Sequence, residues 1–212
     1  MRIDCRGEEL FLDKERAIYF PKQDLLAVSD LHLGKPAHFR KAGIQVPALV
    51  AQNDLQRLGL LIDKYQPETL LVNGDMFHHG LNSEIQEFAS WRRKYQELNL
   101  LLVKGNHDRL KAADYASMRI GFYQDCYQSG PFSFIHDAEK CMESPHYPIG
   151  GHIHPGVSIV GKAKQRLRFP CFYFGEKYAL MPAFSLFTGI YTIQPKLGDR
   201  VFAITTDAVI EV

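Results

Sequence analysis

Five short clusters in this sequence carry the residue types that hold divalent metals and move protons. They are Ser29-Asp30-Leu31-His32, Asn73-Gly74-Asp75-Met76-Phe77-His78-His79, Lys104-Gly105-Asn106-His107-Asp108, Phe134-Ile135-His136-Asp137 and Gly150-Gly151-His152-Ile153-His154-Pro155. Carboxylate, imidazole and amide oxygen together suit borderline first-row divalent ions rather than calcium, and the lack of cysteine in the clusters argues against structural zinc. One Asp-x-His or His-x-His is ordinary, a surface pair or a hydrogen-bonded core histidine. Five in order, each at the end of an apolar run or flanked by glycine, point to one constructed site.

The elements that must position these clusters can be read from hydrophobic pattern. Leu25-Leu26-Ala27-Val28, Leu70-Leu71-Val72 and Leu100-Leu101-Leu102-Val103 are strand-length and do not alternate, as expected of strands covered on both faces. Between them, Pro47 to Tyr65 and Ser83 to Leu98 repeat apolar residues at helical spacing, the second with Ser83 and Gln86 placed as a capping box. Strand, helix, strand, helix, strand predicts a parallel sheet with right-handed crossovers, whose carboxyl ends gather the first three clusters. Leu10 to Phe20 reads as an opening strand or hairpin. Val157–Val160, Phe169–Phe174, Phe184–Phe187, Val201–Thr205 and Val209–Val212 read as short antiparallel strands of a second sheet. Nothing divides the chain, so residues 1–212 are expected to form a single domain of α/β class, a two-sheet sandwich flanked by helices.

The order Asp-x-His, Gly-Asp, Gly-Asn-His-Asp, His, Gly-His-x-His, from Asp30 to His154, resembles the calcineurin-like binuclear metallophosphoesterases. The resemblance implies that Asp30, His32 and His154 hold one metal, that Asn106, His136 and His152 hold the other, and that Asp75 bridges both. It makes His107 the catalytic histidine that contacts the phosphate and protonates the leaving oxygen, with Asp108 orienting its ring. Two divalent ions contribute +4; two aspartates and a bridging hydroxide remove three, leaving about +1 where a phosphate must sit. The implied reaction is attack of that hydroxide on a phosphodiester, at a neutral pH made accessible by the metals. Manganese is the expected metal, with iron, zinc or nickel as alternatives.

The segment from Asp30 to Ile44, with Pro182 to Tyr191 and Gly198 to Phe202, further resembles the bacterial DNA ligase-associated metallophosphoesterases. That implies a nuclease of DNA repair with a functional link to a DNA ligase, an exonuclease and a helicase, acting on single-stranded or damaged DNA. Lys35, His38, Arg40 and Lys41 place cations in one loop leaving the metal site, and Lys35 and Arg40 are expected to hold flanking phosphates. Gly74-Asp75-Met76-Phe77-His78 is similar to a motif of nuclease subunits of double-strand-break repair complexes, in which the histidine three residues after the bridging aspartate contacts the phosphate. His78 is therefore a substrate-binding candidate. His79 and His146 read as ordinary residues. The enzymatic alternative is a small-molecule nucleotide phosphodiesterase or phosphatase. A pure interaction scaffold would have lost ligands, and none is lost here.

The 212 residues, 46% hydrophobic and 23% charged, exclude a disordered, collagen-like or coiled-coil chain. With 25 basic and 24 acidic residues the net charge is +1, so any attraction for a polyanion must be local. Cys5, Cys126, Cys141 and Cys171 form no Cys-x-x-Cys pair, which favours a reducing cytoplasm. The amino terminus is too charged for a signal peptide, and no apolar run nears the roughly 18 residues of a membrane span. The late aromatics Phe169, Phe172, Tyr173 and Phe174 read as core in preference to a dimer face.

Overall fold

A computed structural model describes residues 1–35, 39, 43, 49–78, 83–141, 145–161 and 165–212. Seven strands form the first sheet in chain order: β1 (Arg2–Cys5), β2 (Glu8–Asp13), β3 (Ala17–Phe20), β4 (Leu25–Val28), β5 (Thr69–Asn73), β6 (Asn99–Val103) and β7 (Ile120–Tyr123). The first four run as an antiparallel meander, and β4 to β7 are parallel. Helices α1 (Leu49–Tyr65), α2 (Ser83–Lys94) and α3 (Ala112–Ser117) make the crossovers. The hairpin expected at Leu10 to Phe20 is formed by β2 and β3, with β1 preceding it, and the parallel core continues one strand beyond the three apolar runs.

The second sheet contains β8 (Tyr127–Ser129), β9 (Phe132–Phe134), β10 (Tyr147–Gly150), β11 (Pro155–Val160), β12 (Arg166–Phe174), β13 (Ala179–Leu180), β14 (Tyr191–Thr192), β15 (Arg200–Ile204) and β16 (Val209–Glu211). It is mixed rather than antiparallel, because β10 runs parallel to both β9 and β13 and β11 parallel to β14. Phe184 to Phe187, expected as a strand, is a run of bends. Its backbone groups are committed elsewhere, as the metal site will show.

Alternation along the core strands explains why their sequences do not alternate. Leu25, Ala27, Leu71, Leu101 and Val103 pack into the space between the sheets, against Phe132, Phe134, Ile149, Phe172 and Phe202. Leu26, Val28, Leu70, Val72, Leu100 and Leu102 face the helices, against Leu58, Leu61, Phe88 and Tyr115. Both faces exclude water, so both must be apolar. The α2 pattern runs on to Leu98, yet the helix stops at Lys94, where the Arg92 guanidinium donates to the carbonyls of Tyr95 and Leu98 and caps the exit. The Ser83 side chain and Pro47 lie outside the described residues. No helix among the described residues is long and apolar enough to cross a membrane.

Candidate metal centre

Strand register brings the clusters together. Val28 lies beside Val72, and Asn73 beside Val103, so β4, β5 and β6 end level with one another. The loops then zip further: the N–H of Asp30 donates to the Gly74 carbonyl (3.1 Å), that of His32 to Asp75 (2.9 Å), and that of His78 to Leu33 (2.7 Å). In the second sheet the parallel pairing of Phe134 with Ile149 sets His136 beside His152, sealed by Gly151 N–H to His136 carbonyl at 3.0 Å. Asn73 ties the sheets, its Nδ2 donating to the Ile149 carbonyl at 2.8 Å.

Two donor groups result, Asp30 with His32 and His154, and Asp75 with His136 and His152, the ligand atoms within each lying within 4.8 Å of one another. His154 Nε2 stands 3.3 Å from Asp30 Oδ1, and His136 Nε2 3.4 Å from Asp75 Oδ2. Asp75 faces both groups, since its Oδ2 is 4.0 Å from His32 Nε2 as well. Asn106 reaches the second group, with Nδ2 3.4 Å from His152 Nδ1. His107 sits at the mouth. Its side chain is 40% exposed, its Nε2 lies 4.0 Å from Asp75 Oδ2, and its backbone N–H donates to Asp75 Oδ1 at 2.8 Å.

Packing at this junction leaves no room for a Cβ. One added at Gly74, whose φ is +88°, would lie 1.9 Å from His136 Nδ1, and one at Gly151 would lie 1.8 Å from Ser29 Oγ. The backbone itself is unusual. Among the described residues ten non-glycine residues have positive φ, and five of them are Asp30, His32, Asp75, His152 and His154. Left-handed backbone costs a non-glycine residue about 1–3 kcal/mol and gathers where function over-determines the geometry.

The donors fit a pair of divalent ions. Both ring nitrogens of His32, Asp30 Oδ1 and His136 Nε2 are buried without a hydrogen-bond partner, the neighbouring rings and carboxylates standing too far off or misaligned. Buried polar atoms left so are costly unless something else coordinates them. Burial would raise the pKa of Asp30 and of Asp75, but His154 next to the first and His136 next to the second outweigh it, and both stay below the usual carboxylate range. Burial pushes His32 down to about 4, which keeps it neutral as a ligand must be. Burial also lowers His136, but Asp75 and Asp30 outweigh it and push that ring up to about 9. The carboxylates thus call for positive charge between themselves and the rings, which a divalent ion supplies more fully than a proton.

Of the substrate-binding candidates, His78 packs its ring 4.6 Å from His107 and 5.8 Å from His32. Lys35 is also brought to the site: burial lowers its pKa, against the opposing pull of Asp30 and Asp75. His38, Arg40, Lys41 and His79 lie outside the described residues. One expectation needs correcting. Asp108 does not turn toward the His107 ring; its two oxygens accept the N–H groups of Phe77 (3.0 Å) and Gly105 (2.9 Å). A carboxylate that is 2% exposed needs both oxygens satisfied, and these backbone donors are the ones at hand. Burial pushes its pKa up to about 6 in spite of them.

Sequence reasoning missed three supports. Ser29 donates its hydroxyl to Asp30 Oδ2 (2.6 Å) or to the Asn73 carbonyl (2.9 Å), and Asp30 Oδ2 also accepts the His152 N–H at 3.1 Å. The N–H groups of Phe184 and Ser185 donate to the carbonyls of Ser29 (2.7 Å) and Asp30 (3.3 Å), which is why that segment forms no strand. Arg16 and Arg57 hold the segment from behind through the carbonyls of Ala183, Phe184 and Ser185. Ser29 and Asn73 did carry a signal, as polar residues ending buried strands; the arginine clamp had none. A larger cavity of about 1130 Å³ lies elsewhere, behind Ile153, and its four acidic and four basic lining residues cancel.

A family model described as calcineurin-like phosphoesterase matches residues 24–192. No curated protein matches the chain. Among solved structures, that of Pseudomonas putida nuclease MPE is 28% identical, with a TM-score of 0.83, covering 100% of this chain and 99% of that one. The E. coli phosphoesterase Yfce is 13% identical with a TM-score of 0.48, covering 89% of this chain and 97% of that one, a likeness too loose to argue from.

Proposed function

This chain belongs to the calcineurin-like phosphoesterases, and from that premise we propose that it is a two-metal phosphodiesterase that cuts single-stranded or damaged DNA. The observation that carries the reading is the convergence of two metal-donor groups on Asp75 with a half-exposed histidine, His107, at their rim. Asp30, His32 and His154 would hold one ion, Asn106, His136 and His152 the other, and Asp75 both. When bound, the ions would neutralise phosphate charge and lower the pKa of water for attack. Manganese is the expected occupant, with iron, zinc or nickel as alternatives that the same nitrogen and oxygen donors accept.

His107 is the proton donor to the leaving oxygen, held in place by its own N–H on Asp75 and by the His78 ring. His78 and Lys35 contribute the remaining contacts to the phosphate at the site's edge, and Arg40, shortly after Lys35 in the sequence, those to a neighbouring phosphate. Gly74 and Gly151 let the two sheets close far enough for this set to meet. The likeness to Pseudomonas putida nuclease MPE favours a nucleic acid over a free nucleotide. The resemblance of residues 30–44 and 182–202 to ligase-associated enzymes supports a place in cytoplasmic DNA repair, linked in function to a ligase, an exonuclease and a helicase. We read residues 1–212 as a single metallophosphoesterase domain.

Purified protein with manganese should hydrolyse both a chromogenic phosphodiester and single-stranded DNA. His107→Ala and Asp75→Asn should each lower kcat by at least about 100-fold, the contribution expected of general acid catalysis or of one preorganised charge. Absence of turnover on both substrates, or turnover indifferent to both substitutions, would sink the assignment.

A further inference from the structure

The metal site uses the carboxyl ends of β4, β5 and β6. The next strand, β7, ends level with β6, with Tyr123 beside Val103 and the Lys104 N–H donating to the Tyr123 carbonyl at 2.9 Å. Over these two ends lies a cavity of about 400 Å³, lined by Lys104, Asn106, Arg109, Tyr115, Phe122 and Gln124 among others. It abuts the metal centre, because Asn106 belongs to both. A volume of this size lies at the low end of small-molecule sites, enough for one nucleotide.

Charge distinguishes this cavity from the larger one. Lys104 and Arg109 make no ion pair among the described residues, whereas Arg57, Lys64, Lys140 and Arg200 all do. The acid in the lining, Asp108, has both oxygens occupied by backbone N–H groups. Asp108 keeps its charge, so Lys104 and Arg109 leave the lining one net positive charge beside a phosphoesterase centre, in a chain whose net charge is only +1. Below them Phe122 is half-buried and stacked on Tyr115, ring centroids 4.8 Å apart and planes 17° from parallel. A ring backed in this way offers a fixed flat surface on which a base can stack.

We propose that this cavity is a strand-binding subsite: Lys104 and Arg109 hold a phosphate adjoining the scissile one, and Phe122 carries the neighbouring base of a single-stranded nucleic acid. This rests on the phosphodiesterase reading and sharpens it, since the subsite rewards a polynucleotide and is irrelevant to a small diester. Lys104 and Arg109 are then positioning residues that confer preference for a chain.

The test compares wild type with Lys104→Gln/Arg109→Gln, and with Arg93→Gln/Lys94→Gln as a control of equal charge loss at the end of α2. The readout is the ratio of kcat/KM on a single-stranded oligothymidylate to that on a chromogenic phosphodiester, which cancels differences in active fraction. The ratio should fall at least tenfold in the first variant, and the dependence of log kcat/KM on log salt should be shallower by about 0.7, as the loss of one single-strand phosphate contact requires. A ratio within twofold of wild type, or an equal fall in the control, would overturn the subsite. Anisotropy of a labelled oligothymidylate gives a second readout that needs no turnover. If wild type hydrolyses neither substrate, the enzymatic reading fails; a tenfold loss of strand binding in the variant alone would still support the subsite, and no loss would remove it.

Discussion

Removing the Asp108 carboxylate would leave the buried N–H groups of Phe77 and Gly105 without an acceptor. Each such group costs about 1–3 kcal/mol, so Asp108→Ala should lower stability by about 2 kcal/mol or more, read from chemical denaturation. Lost activity with unchanged stability would instead return Asp108 to the His107 ring. Gly151→Ala tests the site's tightness. The new methyl would meet Ser29 Oγ at 1.8 Å and Asp30 Oδ2 at 2.5 Å, so the backbone or Asp30 must move. Overpacking of this kind costs about 1–3 kcal/mol, and here it should also reduce manganese content, measured by elemental analysis of the purified variant. At this scale the sequence spoke clearly about donors, whose types and spacing are local. It misled about Asp108, whose partners at Phe77 and Gly105 are set by how two loops stack rather than by its neighbour His107.

Between elements, the Arg57 guanidinium is a junction. It donates to Asp54 Oδ1 (2.9 Å), Glu15 Oε2 (2.7 Å) and the carbonyls of Glu15 and Phe184 (3.1 Å each), joining α1, the β2–β3 turn and the segment that backs Asp30. With the Asp54 side chain only 2% exposed, Arg57→Ala strands a buried charge and should destabilise by about 3 kcal/mol. Adding Asp54→Ala should restore part of that, because the stranded carboxylate is then gone; a fully additive double variant would mean the two act separately. Asp13 couples β2 to α1 in another way, accepting from Lys64 Nζ (2.6 Å) and the Tyr65 hydroxyl (2.8 Å). Burial would raise its pKa, but Lys64, the Glu15 N–H and Tyr65 outweigh it and hold it low. A depressed acid stabilises above its unfolded pKa near 3.9 and loses that contribution as pH falls through the folded value. Melting midpoints between pH 5 and pH 3 should therefore drop more in wild type than in Asp13→Asn. These links also explain what the pattern of residues could and could not reveal. Continuous apolar runs betray β4, β5 and β6 because both faces are covered. Three-residue strands such as β8 and β9, and the parallel insertion of β10, gain their pairing from distant partners and carry no period of their own. Phe184 to Phe187 has the composition of a strand, yet the N–H groups of Phe184 and Ser185 go to Ser29 and Asp30, and those of Leu186 and Phe187 to the side chains of Asp54 and Ser185.

For the molecule as a whole, metal is linked to stability. Ions that bind the folded chain alone add about 2.7 kcal/mol per site at 100 times Kd. At about 2–4 °C per kcal/mol for this size, manganese should raise the melting midpoint of chelator-treated protein by more than about 5 °C, followed by calorimetry. Substituting Asp75 should abolish most of that rise. The sandwich contributes something else through the left-handed backbone at Asp30, His32, Asp75, His152 and His154. Those torsions are enforced by strand ends and inter-sheet hydrogen bonds, so folding assembles the receptacle and an arriving ion finds little left to order. Capture should then be limited by shedding of water and protons rather than by chain motion, and one first-row ion can replace another without a change of shape. The metal carried becomes a record of supply: protein grown in manganese-rich and zinc-rich media should share one fold and differ in its cargo.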